Sequence, residues 1–111
     1  MGTTIKSSAD IDEVFKSGTR FSSGLVSIII KETSNKQRGQ EGRVAYIAAK
    51  RLGNAVTRNR NKRVLRAVAR DAGLPCPGYD VVMLATRRTG AAGHEDVVSA
   101  LRRLLGKAGV R

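Results

Sequence analysis

Residues 44–86 read VAYIAAKRLGNAVTRNRNKRVLRAVARDAGLPCPGYDVVMLAT. Val44 to Ala49 and Tyr79 to Thr86 are short runs of β-branched, aliphatic and aromatic residues, and each reads as a strand. Between them lies a helical pattern. Asn54 follows Gly53 where an N-cap is needed, and Gly73-Leu74-Pro75-Cys76-Pro77-Gly78 must end the helix. The stretch therefore predicts strand, helix, strand.

The helix is two-faced. At ~100° per residue, Arg58, Lys62, Arg66 and Arg70 follow one another along one side at i, i+4, i+8 and i+12. Arg63 and Asn59 lie beside that row and Arg60 extends it, while Val64, Leu65, Val68 and Ala72 occupy the opposite arc. Asn61 falls on that apolar arc; it is expected near the helix entry with its amide hydrogen-bonded rather than buried dry. From Gly42 to Arg70 there are nine Lys or Arg and no Asp or Glu. An ordinary solvated helix face mixes both signs, because opposite charges at i,i+4 are mildly stabilising. A basic but idle surface is the usual explanation of a basic run, and the one-sided placement without acids argues against it here. Such a row can follow a phosphate backbone, with Arg able to engage phosphates bidentately. Asn59 could reach a base edge or a ribose hydroxyl.

Working outward, Ser7 or Ser8 can cap a helix over residues 9–17 with Gly18 as its stop, and Ile11, Val14 and Phe15 form its apolar face. Leu25 to Ile30 reads as a strand, with a short one before it around Arg20. Thr33 to Gly42 reads as a solvated loop and Arg87 to Gly93 as a polar turn. A last helix over residues 95–106 opens with Glu95 and Asp96, which suit the positive end of its dipole, and carries Val97, Val98, Leu101, Leu104 and Leu105 in one stripe. The order predicts an α/β (α+β) two-layer sandwich in one domain, 1–111: a mixed sheet of about four strands with three helices on one face.

The chain carries a formal net charge of +12, which in so small a domain favours a polyanionic partner. No apolar run approaches the ~20 residues of a membrane span, no secretory core precedes Ser23, and a single cysteine, Cys76, fits a reducing compartment. A cytoplasmic protein with no membrane partner is expected. Four aromatic residues, Phe15, Phe21, Tyr46 and Tyr79, argue against a deep pocket for a small-molecule substrate. No catalytic constellation is present. His94, the one histidine, reads as a capping or solvent residue at the start of the last helix. Asp10, Asp12 and Glu13 read as complements of a helix dipole, with divalent-ion binding as the alternative. Without a helix-turn-helix pair or zinc-ligand set, DNA reading is disfavoured and RNA mildly preferred, though spacing alone leaves the class open.

The run Lys50-Arg51-Leu52-Gly53-Asn54-Ala55-Val56-Thr57-Arg58-Asn59-Arg60-Asn61-Lys62-Arg63 resembles the signature of the bacterial ribonuclease P protein, whose Arg-Asn-Arg motif here is Arg58-Asn59-Arg60. The resemblance extends over Asp12 to Arg20, Asp80 to Val82 and Glu95 to Leu105. It implies a fold in which the basic helix joins two parallel strands by a left-handed βαβ crossover, against the usual hand. It also implies a partnership with ribonuclease P RNA, which performs Mg²⁺-dependent cleavage of precursor tRNA at its 5′ end. The ion is then required by the RNA, with none held tightly by the protein. Carried over by position, Lys50, Arg51, Asn54, Arg58, Asn59, Arg60, Lys62, Arg63 and Arg66 face the catalytic RNA. Ile11, Phe15 and Ile29 line a cleft for the single-stranded leader. Many family members carry aromatics at or near Ile11 and Ile29, and the aliphatic residues here forgo stacking worth ~1–3 kcal/mol per base. Asn61 and the absence of a basic lead-in at the N-terminus are further departures. Without RNA the protein is expected to be a monomer or weak dimer. A ribosomal or RNA-assembly protein would share the charge and fold but not the motif, and a stand-alone nuclease would need catalytic groups this chain lacks.

Overall fold

The computed structural model describes residues 5, 8–32, 42–74 and 76–110. Helix α1 (Ser8–Ser17) leads into strands β1 (Thr19–Ser22) and β2 (Val26–Glu32). Strand β3 (Arg43–Ile47), a 3-10 turn (Lys50–Leu52), helix α2 (Ala55–Asp71), strand β4 (Tyr79–Ala85) and helix α3 (His94–Lys107) follow. Of the two serines considered as caps, Ser8 is the first helical residue and Ser7 lies outside the described residues, as does nearly all of the expected 33–42 loop.

The sheet runs β1-β2-β4-β3, with β3 and β4 parallel and the other pairs antiparallel. Three helices and a four-stranded mixed sheet agree with the expectation from the sequence. The distribution of helices does not. Helices α2 and α3 cover one face, where Leu65, Val68, Leu101, Leu104 and Leu105 pack on Ile28, Val44, Val81 and Met83. Helix α1 covers part of the opposite face, with Val14 on Ile29, Val82 and Ala45 and with Ile5 beside them. The reason is legible in β2 and β4: a strand buried on both sides is a near-continuous apolar run rather than an alternating one, as in Val26-Ser27-Ile28-Ile29-Ile30, interrupted only by the buried Ser27, and Val81-Val82-Met83-Leu84-Ala85.

Two polar contacts fix α1 across the sheet. Arg43 on β3 donates from Nε and Nη2 to both carboxylate oxygens of Asp80 (3.2 and 2.8 Å) and from Nη1 to Asp10 of α1 (3.0 Å). These carboxylates push the guanidinium pKa above its usual value. Lys31 on β2 lies 3.5 Å from Glu13; with the Ser17 hydroxyl, it lowers the Glu13 carboxyl pKa.

Gly18 ends α1 as the sequence suggests, but through proximity rather than a left-handed backbone, since its φ is not positive. A Cβ there would stand 2.5 Å from the Val14 carbonyl oxygen, 2.8 Å from Ile29 Cγ2 and 2.9 Å from the Ile30 carbonyl oxygen. Two of those obstacles are backbone, so Gly18→Ala is expected to destabilise the fold by about 1–3 kcal/mol, the range for overpacking. A melting temperature equal to that of the parent protein would contradict it. Helix α2 does end on a left-handed glycine: Gly73 has φ +90°, with Leu74 N–H donating to the Ala69 carbonyl. That is the Schellman closure.

Candidate nucleic-acid interface

Strands β3 and β4 run parallel, so the segments leaving their C-terminal ends emerge at the same end of the sheet. The 3-10 turn that follows β3 and the turn that follows β4 both meet the start of α2 there. Asn54 opens the helix in extended conformation, its Oδ1 accepting from Thr57 N–H at 3.0 Å. The expected N-cap is thus observed.

The buried centre of α2 is Asn61, Leu65, Val68 and Ala69; Val64 is only partly buried. An i,i+4 row drifts by about 40° per step around a helix, and this drift sorts the cations. Arg58 starts at the margin of the core and is half-buried, with its Nε shut from solvent and without a partner. Lys62 is also half-buried, and Arg66 and Arg70 are exposed. Asn59, Arg60 and Arg63 are exposed on the outer face, and Lys50, Arg51 and Asn54 are exposed at the entry. All nine sequence-assigned RNA-facing residues therefore lie on or just before one helix.

Among the described residues, none of the ion pairs involves a Lys or Arg between positions 50 and 70. Arg66 instead lies over the Tyr46 ring, 5.4 Å from its centroid, a cation–π contact that restrains the guanidinium without neutralising it. Burial pushes the Tyr46 hydroxyl pKa up from its usual value, partly opposed by the charge of Arg66.

Two features of this face were not singled out from the sequence. Val56, 74% exposed, sits among the outer cations; its place in the basic motif was the available signal. Arg87 belongs to a turn that reads only as a polar connector, yet the fold brings it to Arg51 and Arg60 around a cavity of about 680 Å³. Only the parallel pairing of β3 and β4 explains that meeting, and spacing along the chain does not reveal it.

The three residues assigned to a leader cleft share the α1 side of the sheet but differ in access. Phe15 is 42% exposed, Ile11 is half-buried, and Ile29 is only 4% exposed beneath α1. The neighbouring row is Ser22, Ser27, Leu84 and Ile47, of which Ser22 is exposed, Leu84 and Ile47 are half-buried and Ser27 is buried.

His94 Nε2 lies 2.6 Å from Asp71 Oδ2, tying the start of α3 to the end of α2. Among the described residues, no three His, Cys, Asp or Glu side chains come together to hold a metal ion. No helix among them is long and apolar enough to cross a membrane.

The family model described as Ribonuclease P matches residues 2–109. The ribonuclease P protein component of Clostridium botulinum (strain Loch Maree / Type A3) is 31% identical over 109 residues, covering 96% of this chain and 94% of that protein. The protein of the same name from Dehalococcoides mccartyi (strain CBDB1) is 39% identical over 66 residues, 60% of this chain; the match spans only about half of that relative, 54% of its length. Among solved structures, the Staphylococcus aureus RNase P protein superposes with a TM-score of 0.80 at 22% identity, covering 99% of this chain and 98% of that one. The Thermotoga maritima RNase P protein gives 0.75 at 19% identity, covering 94% and 96%. The structural likenesses carry the fold alone; with the family-model match and the Clostridium relative they lead to one conclusion: this chain belongs to the ribonuclease P protein family.

Proposed function

We propose that the chain is the protein subunit of a bacterial ribonuclease P, acting in the cytoplasm, and that it binds the catalytic RNA through α2. In this reading the RNA subunit carries out the Mg²⁺-dependent hydrolysis that frees the 5′ leader of precursor tRNA. The protein supplies no catalytic residue. It raises substrate affinity and screens phosphate repulsion. The observation that carries the reading is the unpaired cation face of α2, set in the basic motif and backed by an apolar core. Asp10 and Glu13 are engaged by Arg43 and Lys31, which supports reading the acidic group of α1 as structural and the Mg²⁺ as the RNA's.

Leader contact belongs on the α1 side of the sheet, with Phe15 as its accessible aromatic ring and Ile11 beside it. Ile29 supports that surface from below. A ribosomal or assembly role would use the same cations but would not stimulate cleavage.

Reconstitution separates the two. At low Mg²⁺, adding this protein to a bacterial ribonuclease P RNA and a leader-bearing precursor tRNA is expected to raise kcat/KM by about tenfold or more, equivalent to about 1.4 kcal/mol. No gain in cleavage would overturn the proposal.

A further inference from the structure

The cavity at the entry of α2 differs from the rest of the cation face in having a polar floor. Asn61 lies there, on the helix arc otherwise given to hydrocarbon, and is only 7% exposed. The sequence led us to expect a hydrogen-bonded amide at this position; among the described residues no protein group supplies the partner. Neither amide atom is sealed off, however, because the only fully enclosed orphan atom among the described residues is Arg58 Nε. A buried amide without a partner is destabilising unless water or a ligand completes it. The opposite wall is Gly90, placed so closely that a Cβ there would stand 2.7 Å from Asn61 Oδ1.

Around this floor stand Arg51, Arg60 and Arg87, with Thr57 beside them and no carboxylate in the lining. The volume of about 680 Å³ falls within the range of small-ligand sites. The two parts of the cavity call for two parts of one ligand. Three guanidinium groups suit a phosphate. An amide offering one acceptor and a two-proton donor suits the hydrogen-bonding edge of a base, and unpaired bases are the usual target of sequence-sensitive RNA recognition.

We propose that this cavity seats one unpaired nucleotide of a bound RNA, with its base against Asn61 and its phosphate among Arg51, Arg60 and Arg87. The proposal rests on the reading of α2 as the RNA-facing surface and adds a specific reading position to it.

The test is an NMR titration of the full chain with three probes: inorganic phosphate, the four nucleoside monophosphates, and a five-nucleotide single-stranded RNA. Phosphate alone should move the guanidinium signals of Arg51, Arg60 and Arg87. At least one mononucleotide should also move the Asn61 side-chain amide and the Gly90 backbone amide, and the oligonucleotide should do so at a concentration at least tenfold lower. Asn61→Ile should weaken the nucleotide response at Gly90 at least tenfold while leaving the phosphate response intact. If that variant loses the native spectrum, Gly90→Ala, which crowds Asn61 from the other wall, supplies the same comparison, read at the Ala91 backbone amide. A Gly90 response that is absent, or identical with phosphate alone, would overturn the nucleotide seat. Equal midpoints for mononucleotide and oligonucleotide would assign the cavity to a free nucleotide and overturn its place in RNA recognition. No catalytic RNA enters this titration, so its outcome is independent of reconstitution: failed cleavage with an intact nucleotide response would overturn the ribonuclease P reading alone.

Discussion

Replacing Arg58 and Arg60 together by Ala is expected to weaken binding to a ribonuclease P RNA by roughly 10–100-fold, or about 1.4–2.8 kcal/mol. The salt dependence should change with it. Each lost phosphate contact flattens the plot of log K against log salt by about 0.7–0.9, so two contacts give about 1.4–1.8. Folding should be nearly untouched. Arg60 is exposed, and the enclosed Nε of Arg58 has no partner to lose. Removing these guanidinium groups therefore breaks no hydrogen bond in the free protein and relieves some repulsion in a chain of charge +12. Binding measured across a salt series, with a thermal melt of each variant, separates the two effects. An unchanged slope would mean that this end of α2 faces away from the RNA.

A second large effect is expected from Arg43→Ala, this time on stability. Asp80 is only 6% exposed, and both of its carboxylate oxygens are held by Arg43. Removing one partner of a buried pair typically costs about 3–5 kcal/mol, because the remaining charge is left without compensation. Arg43 itself is more than a third exposed along its side chain, so water can partly replace it and the expected loss sits near the lower end, about 3 kcal/mol. The change also frees Asp10 from one contact that holds α1 to the sheet. Urea denaturation measures the loss. Pairing the change with Asp80→Leu should recover most of it, since the stranded charge is removed as well. A loss below about 1 kcal/mol for Arg43→Ala alone would show that water screens Asp80 more fully than its burial implies.

What could be read from the chain was local. Helix α2 announced itself through Leu65 and Val68, one turn apart, and through the Asn54 cap. Strand β4 did so through an unbroken apolar run. The cation face was equally legible, because the wheel needs only the 3.6-residue period. Long-range facts were not. The burial of Ile29 beneath α1 depends on where that helix lies across the sheet, and the sequence reading placed all three helices on one face. The meeting of Arg87 with Arg51 and Arg60 depends on β3 and β4 being parallel neighbours, which neither strand states by itself. Asn61 was seen to be out of place on its arc. That its amide would face a cavity and find no protein partner required the wall supplied by Gly90.

The strand order has a consequence for how the molecule comes into being. Strand β4 lies between β2 and β3, yet it follows both along the chain. Until Tyr79 to Ala85 has left the ribosome, β3 lacks its sheet neighbour and the β1–β2 pair lacks its second edge. Domains fold as units during synthesis, and here the unit closes late: α2 emerges fully charged before the surface that buries its apolar side exists. For that interval the helix's apolar and cationic sides are both uncovered, and the nascent chain is at its most vulnerable to misassociation while the sheet waits for its middle strand.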